Sequence, residues 1–104
     1  MKKIMLVCSA GMSTSLLVTK MEQAAEKVGD EVEIFALPMS DGINRLSTVD
    51  CVLLGPQVRF QKNTIEKAME AAGVSKPCDV IDMKDYGTMN GKAVFEMAKK
   101  LIGD

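Results

Sequence analysis

Two stretches of the chain, Ile4-Met5-Leu6-Val7 and Cys51-Val52-Leu53-Leu54, are apolar at every position. The first stops at Cys8-Ser9 and the second at Gly55-Pro56. Short apolar runs without alternation predict strands buried on both faces. From Val32 to Leu37 the pattern changes. Glu31 and Glu33 alternate with Val32 and Ile34, which predicts an edge strand with one wetter face. Val80-Ile81 predicts a short fourth strand. The segments between carry helical spacing. Leu17, Met21, Ala24, Ala25 and Val28 predict a helix over roughly 13–28, with Gly29 where a C-terminal cap belongs. Asp41 is placed to cap a short helix holding Ile43 and Leu46. Asn63 or Thr64 opens a helix with Ile65, Ala68, Met69 and Ala72 on one side and Gly73 after it. A last helix, from about Asn90 to Ile102, turns Val94, Met97, Ala98 and Leu101 inward.

Strands alternating with helices predict an α/β fold built on a parallel open sheet, with helices on both faces. The driest strands belong in the centre, and right-handed crossovers then give the order 2-1-3-4. No linker, repeat or low-complexity tract divides the chain, so residues 1–104 are expected to form a single domain.

Composition narrows the chemistry. Thirteen basic and fourteen acidic residues leave a net charge of −1, and the only arginines are Arg45 and Arg59. A nucleic-acid partner calls for a basic face and stacking aromatics, and this chain offers neither. No apolar run approaches the ~20 residues of a membrane helix, and the amino-terminal run is too short for a signal peptide. A cytosolic location is therefore expected. Cys8, Cys51 and Cys78 form no metal-binding pattern, and in a reducing compartment they stay thiols. There is no histidine, hence no Ser-His or Cys-His dyad and no imidazole base within the chain. No metal or other cofactor is expected.

The informative segment is Cys8-Ser9-Ala10-Gly11-Met12-Ser13-Thr14-Ser15, between the first strand and the first helix. The carboxyl end of a central strand is the favoured ligand crevice of an open α/β sheet. Gly11 permits a tight turn, and successive amides at a helix N-terminus make an anion nest. Ser9, Ser13, Thr14 and Ser15 add hydroxyl donors. Such a nest stabilises negative charge on a Cys8 sulfur, and equally on phosphoryl oxygens bonded to that sulfur. One loop can thus serve both the nucleophile and its covalent adduct. The plain alternatives are a buried thiol at a strand end and hydroxyls that only cap a helix. Cys51 and Cys78 read as core packing.

The run LVCSAGMSTSLLV resembles the active-site segment of the enzyme IIB components of the bacterial phosphoenolpyruvate:sugar phosphotransferase system, lactose/cellobiose type. VLLGPQV, at Val52 to Val58, is similar to that family's third strand and following loop, and VIDMKDYGTMNG, at Val80 to Gly91, to its last strand and return to the final helix. CSAGMSTS is closer to the cellobiose and diacetylchitobiose members. The resemblance implies that Cys8 accepts a phosphoryl group from a phosphohistidine on a IIA partner. It then yields the group to a sugar, a β-glucoside or related disaccharide, bound by the membrane-embedded IIC permease. It implies a cradle of Ser9, Ala10, Gly11, Met12, Ser13, Thr14 and Ser15, and a docking rim at Gln57 and Val58; Met12, an adaptable apolar residue beside the cysteine, and Tyr86 are further rim candidates. The carrier is expected to be a monomer when free.

The loop also resembles the C-x5-R-[ST] cradle of the low-molecular-weight tyrosine phosphatases, which share the topology. Thr14 stands where their arginine stands, and Ser15 matches the hydroxyl. Without the arginine fork, more charge stays uncompensated on a phosphocysteine, which suits a group meant to move on. The alternatives to a carrier are a small Cys8-dependent phosphatase, with Asp82 or Asp85 as acid, and a regulatory docking module. The nine methionines read mostly as core filler, and Lys99-Lys100 as a solvated helix end.

Overall fold

The computed structural model describes residues 1–8 and 12–103. The sheet is four-stranded and parallel, in the order β2-β1-β3-β4. Its strands are β1 (Lys2–Cys8), β2 (Val32–Pro38), β3 (Cys51–Leu54) and β4 (Cys78–Val80). The helices are α1 (Met12–Lys27), α2 (Met39–Gly42), α3 (Lys62–Ala71), α4 (Met83–Gly87) and α5 (Gly91–Ile102). Two 3-10 segments, Leu46–Thr48 and Pro56–Gln61, precede and follow β3. The expected architecture and strand order are both observed.

The two apolar runs occupy the central strands, and alternation along them feeds two cores. Ile4, Leu6, Cys51 and Leu53 meet Leu17 and Met21 of α1 and Val94, Phe95 and Ala98 of α5. Met5, Val7, Val52 and Leu54 face the other way, onto Ile65 and Met69 of α3. All eight strand residues are fully buried. At about 1.5–3 kcal/mol per large apolar side chain, these positions dominate the favourable side of folding. The wetter strands, β2 and β4, lie at the edges, as their composition requires.

The register aligns the carboxyl ends of the strands. Cys8 pairs with Pro38, Val7 with Leu54, and Leu54 with Val80. The ladder continues one step further on both sides of β3. Gly55 donates its amide to the Val7 carbonyl at 2.9 Å, and Ile81 donates to the Leu54 carbonyl at 2.8 Å.

Several local expectations are corrected. Val28 is 63% exposed, because α1 ends at Lys27 and Gly29 turns the chain at φ +75°. Ala72 is also exposed, one residue beyond α3. Asp41 lies inside α2, whose N-cap is Pro38 without a side-chain bond. Gln61, not Asn63 or Thr64, precedes α3. The fourth strand ends at Val80, before Ile81. Phe95, outside the predicted inward set, is buried. Lys99 is not simply solvated: its Nζ meets Asp30 Oδ2 at 2.7 Å and lies 5.7 Å from the Phe95 ring centroid. Among the methionines, Met5, Met21 and Met69 are buried, whereas Met1 and Met83 are exposed.

Candidate active site

β1 and β3 are neighbours, but the chain leaves them toward opposite faces. α1 follows β1 onto the face it shares with α5, and α3 follows β3 onto the other. That divergence opens the crevice in which open α/β sheets place their ligands. Cys8 ends β1 at this point, and residues 9–11 alone separate it from the start of α1. The first turn of a helix leaves its amides without intrahelical partners, and the dipole adds partial positive charge there.

Cys8 is a free thiol, 2% exposed. Strand alternation puts it on the face of Ile4 and Leu6. Thr14, in the first turn of α1, is 1% exposed, and its hydroxyl lies 3.5 Å from the Tyr86 hydroxyl. Tyr86 is delivered by α4, a single turn capped by Asp82. The Asp82 Oδ1 accepts from the amides of Lys84 at 2.8 Å and Asp85 at 3.4 Å. This cap engages the Asp82 Oδ1 with backbone donors.

Gly55 joins these parts. A Cβ there would stand 2.8 Å from Gln57 Oε1, 3.5 Å from the Tyr86 ring and 3.7 Å from the Val7 carbonyl. The missing side chain lets the Gln57 carboxamide fold back over the end of β3, beside Tyr86 and the last residues of β1. A Cβ at 55 would displace the flexible Gln57 carboxamide and touch Tyr86 and the Val7 carbonyl at ordinary van der Waals distance.

The site residues read from the sequence fall into three groups. Cys8, Thr14, Gly55 and Tyr86 lie along one edge of the sheet. Ser9, Ala10 and Gly11, and the side chains of Met12 and Ser13, lie outside the described residues. Ser15 is exposed on α1, and Thr19 donates its hydroxyl to the Ser15 carbonyl at 3.2 Å. Of the candidate rim, Gln57 is exposed, whereas Val58 and Tyr86 are 8% and 7% exposed and present little surface. α4 was missed in the sequence, although Asp82 with Asp85 three residues on is a helix-start signal.

The other cysteines stand apart from this edge. Burial, then negative neighbours including Asp50 and Asp79, pushes the Cys51 thiol up to about 12. Burial and Glu66, partly opposed by Lys62, push Cys78 up to about 11. Both are therefore protonated near neutral pH. Among the described residues no three Cys, Asp or Glu side chains gather where a metal ion could sit, and no helix is long and apolar enough to cross a membrane.

The family model described as "PTS system, Lactose/Cellobiose specific IIB subunit" matches residues 3–97. The oligo-beta-mannoside-specific EIIB component of Bacillus subtilis (strain 168) is 45% identical over 98% of this chain and 97% of its own length. The galactose-specific EIIB component of Lactococcus lactis subsp. cremoris and the cellobiose-specific one of Lactococcus lactis subsp. lactis are each 49% identical, over 97% of this chain and 96% of theirs. Three sugars thus appear in relatives of nearly equal similarity. A solution structure of a cellobiose-specific IIB component from Borrelia burgdorferi matches with a TM-score of 0.78 at 38% identity, over 97% of this chain and 91% of that one. The lactose-specific IIB domain from Streptococcus pneumoniae has a TM-score of 0.81 at 14% identity, covering 96% of each chain, and shares the fold. The chain belongs to the lactose/cellobiose-specific IIB subunits of the phosphoenolpyruvate-dependent sugar phosphotransferase system, a family of phosphotransferases.

Proposed function

We propose that this protein is a cytoplasmic phosphoryl relay in which Cys8 is the nucleophile. The observation that carries this reading is the position of Cys8, at the end of a central strand and immediately before the N-terminus of a 16-residue helix. The Cys8 thiolate attacks phosphorus on a phosphohistidine of a IIA partner. The S–P bond forms, the P–N bond breaks, and the imidazole leaves on the partner. The helix N-terminus and the amides of residues 9–15 hold the phosphoryl oxygens. A sugar hydroxyl oxygen bound by the IIC permease then bonds phosphorus and releases its proton, the S–P bond breaks, and the thiolate returns.

A chain without histidine suits this division of labour, since the imidazole arrives on the donor. Preorganised amides are the main aid a protein gives to a transferring phosphoryl group. The sugar is proposed to be a β-linked disaccharide of the cellobiose class.

The test is the transfer of labelled phosphate from a phosphorylated IIA protein. Wild type takes up one label, and Cys8→Ser, with its fold retained, takes up none as phosphocysteine. Equal labelling of the variant contradicts the assignment.

A further inference from the structure

Five large apolar side chains are exposed among the described residues: Met1, Leu16, Val28, Phe60 and Met83. Met1 and Val28 lie at the amino-terminal edge of the sheet, before β1 and after α1. The other three lie on segments leaving the carboxyl ends of β1, β3 and β4, the end of the sheet at which Cys8 sits. Phe60 is the largest of these and, at 74%, the most exposed. The remaining aromatics, Phe35, Tyr86 and Phe95, are buried or half-buried. An isolated exposed apolar residue is ordinary, but an exposed aromatic at the same end of the sheet as a buried nucleophile is a candidate contact hot spot.

Phe60 does not stand alone. The Arg59 guanidinium lies over its ring, 4.5 Å from the centroid. Arg59 Nη1 also donates to the Pro56 carbonyl at 3.0 Å. The pair is thus held in one arrangement before any partner arrives, which lowers the entropy cost of docking. Most of the guanidinium donors remain free to face outward, and arginine and aromatic residues are the commonest interface anchors.

We infer that Arg59 and Phe60 form the docking anchor for the phosphohistidine-bearing donor, which presents an apolar depression to Phe60 and an acidic side chain to Arg59. The inference rests on the relay reading above and names the partner surface of that site. Charge decides between donor and acceptor. The donor brings an anionic phosphoryl group toward this edge, and a fixed cation attracts it. The acceptor brings a neutral sugar, which gains nothing from the cation. Because Cys8 is 2% exposed, the donor imidazole must enter the crevice, and the protein around it then covers the Pro56–Gln61 segment beside it.

The experiment measures phosphorylation by a IIA protein that charges the wild-type chain, and, separately, single-turnover discharge to permease membranes with sugar. Phe60→Ala is expected to raise the donor KM about 10-fold, as for a moderate hot spot, with kcat unchanged. Arg59→Gln is expected to raise it about 3-fold and to flatten its dependence on salt, because a rim cation acts through encounter. Discharge to sugar stays at the wild-type rate in both. Thermal unfolding should stay within a few degrees of wild type, since both side chains are largely exposed and lose only the Arg59–Pro56 bond and the Arg59–Phe60 stacking. An unchanged donor KM in both variants overturns the anchor, and so does slowed discharge with normal charging, which assigns the surface to the permease. If no IIA protein charges even the wild-type chain, the relay reading fails and the anchor fails with it.

Discussion

The Thr14 hydroxyl lies 3.5 Å from the Tyr86 hydroxyl, across 72 positions of sequence and inside the protein. The contact ties the first turn of α1 to α4, so segments leaving β1 and β4 meet above the end of β3. It is long for a hydroxyl–hydroxyl bond and contributes modestly to stability. Its importance is positional. Thr14 is 1% exposed, so a longer side chain at this position must displace its neighbours.

Tyr86→Phe keeps the ring against Gly55 and removes only the hydroxyl. The expected loss is about 1 kcal/mol in urea unfolding, the usual net worth of one buried hydrogen bond. Thr14→Val should cost a similar amount, and the double variant less than the sum, because the two groups share one contact. Full additivity would show that the hydroxyls do not interact.

Asp82→Ala removes the cap of α4. The expected cost is about 1 kcal/mol, within the range for N-cap replacement. It should also loosen Tyr86, so a fall in near-ultraviolet tyrosine circular dichroism should accompany it. Asp82→Asn, which retains a capping oxygen, should restore most of the stability. If asparagine is as damaging as alanine, the carboxylate does something other than cap.

Gly91 starts α5 where that helix crosses α1. A Cβ at this position would approach the Lys20 backbone carbon to 2.4 Å and the Met21 amide to 2.6 Å. Gly91→Ala must therefore push the two helices apart, at an expected cost of about 1–3 kcal/mol. Because α1 also carries the N-terminus at the Cys8 crevice, phosphoryl transfer should slow as well. Unchanged stability in urea titration would mean that the crossing is looser than described.

Cys51 makes a prediction about pH. Its thiol is raised from the ordinary 9.0 to about 12 in the folded chain, chiefly by burial. The folded state thus holds the proton more tightly than the unfolded state. The resulting stability is complete below about pH 9 and is lost between 9 and about 12, with a slope near 1.4 kcal/mol per pH unit for one proton. Cys51→Val should flatten the alkaline limb of stability against pH relative to wild type. Parallel curves contradict the burial of that thiol.

The sheet was legible in the sequence because its signals do not compete. Ile4–Val7 and Cys51–Leu54 have no polar position to suggest another element, and Glu31 and Glu33 mark an edge. The helix ends were less legible. Val28 continues the helical spacing of Met21 and Ala25, but Gly29 ends the helix in space, so Val28 has nothing to pack against. Lys99 looked like a solvated terminus because its partner, Asp30, is 69 positions away. The same limit applied at the site. Cys8 is announced by its neighbours in sequence, whereas Tyr86 reaches it only through the meeting of β1, β3 and β4. Its burial could not be read from Asp85-Tyr86-Gly87 alone.

The most direct test of the relay follows phosphorus through Cys8 in time. The chain is charged by a phosphorylated IIA protein, mixed with permease membranes and sugar, and quenched at intervals for peptide mapping. The account predicts that the label lies on the Cys8 peptide alone and leaves it at the rate at which sugar phosphate appears. Sugar phosphate forming while the Cys8 label persists, or a label residing on another peptide, would contradict it.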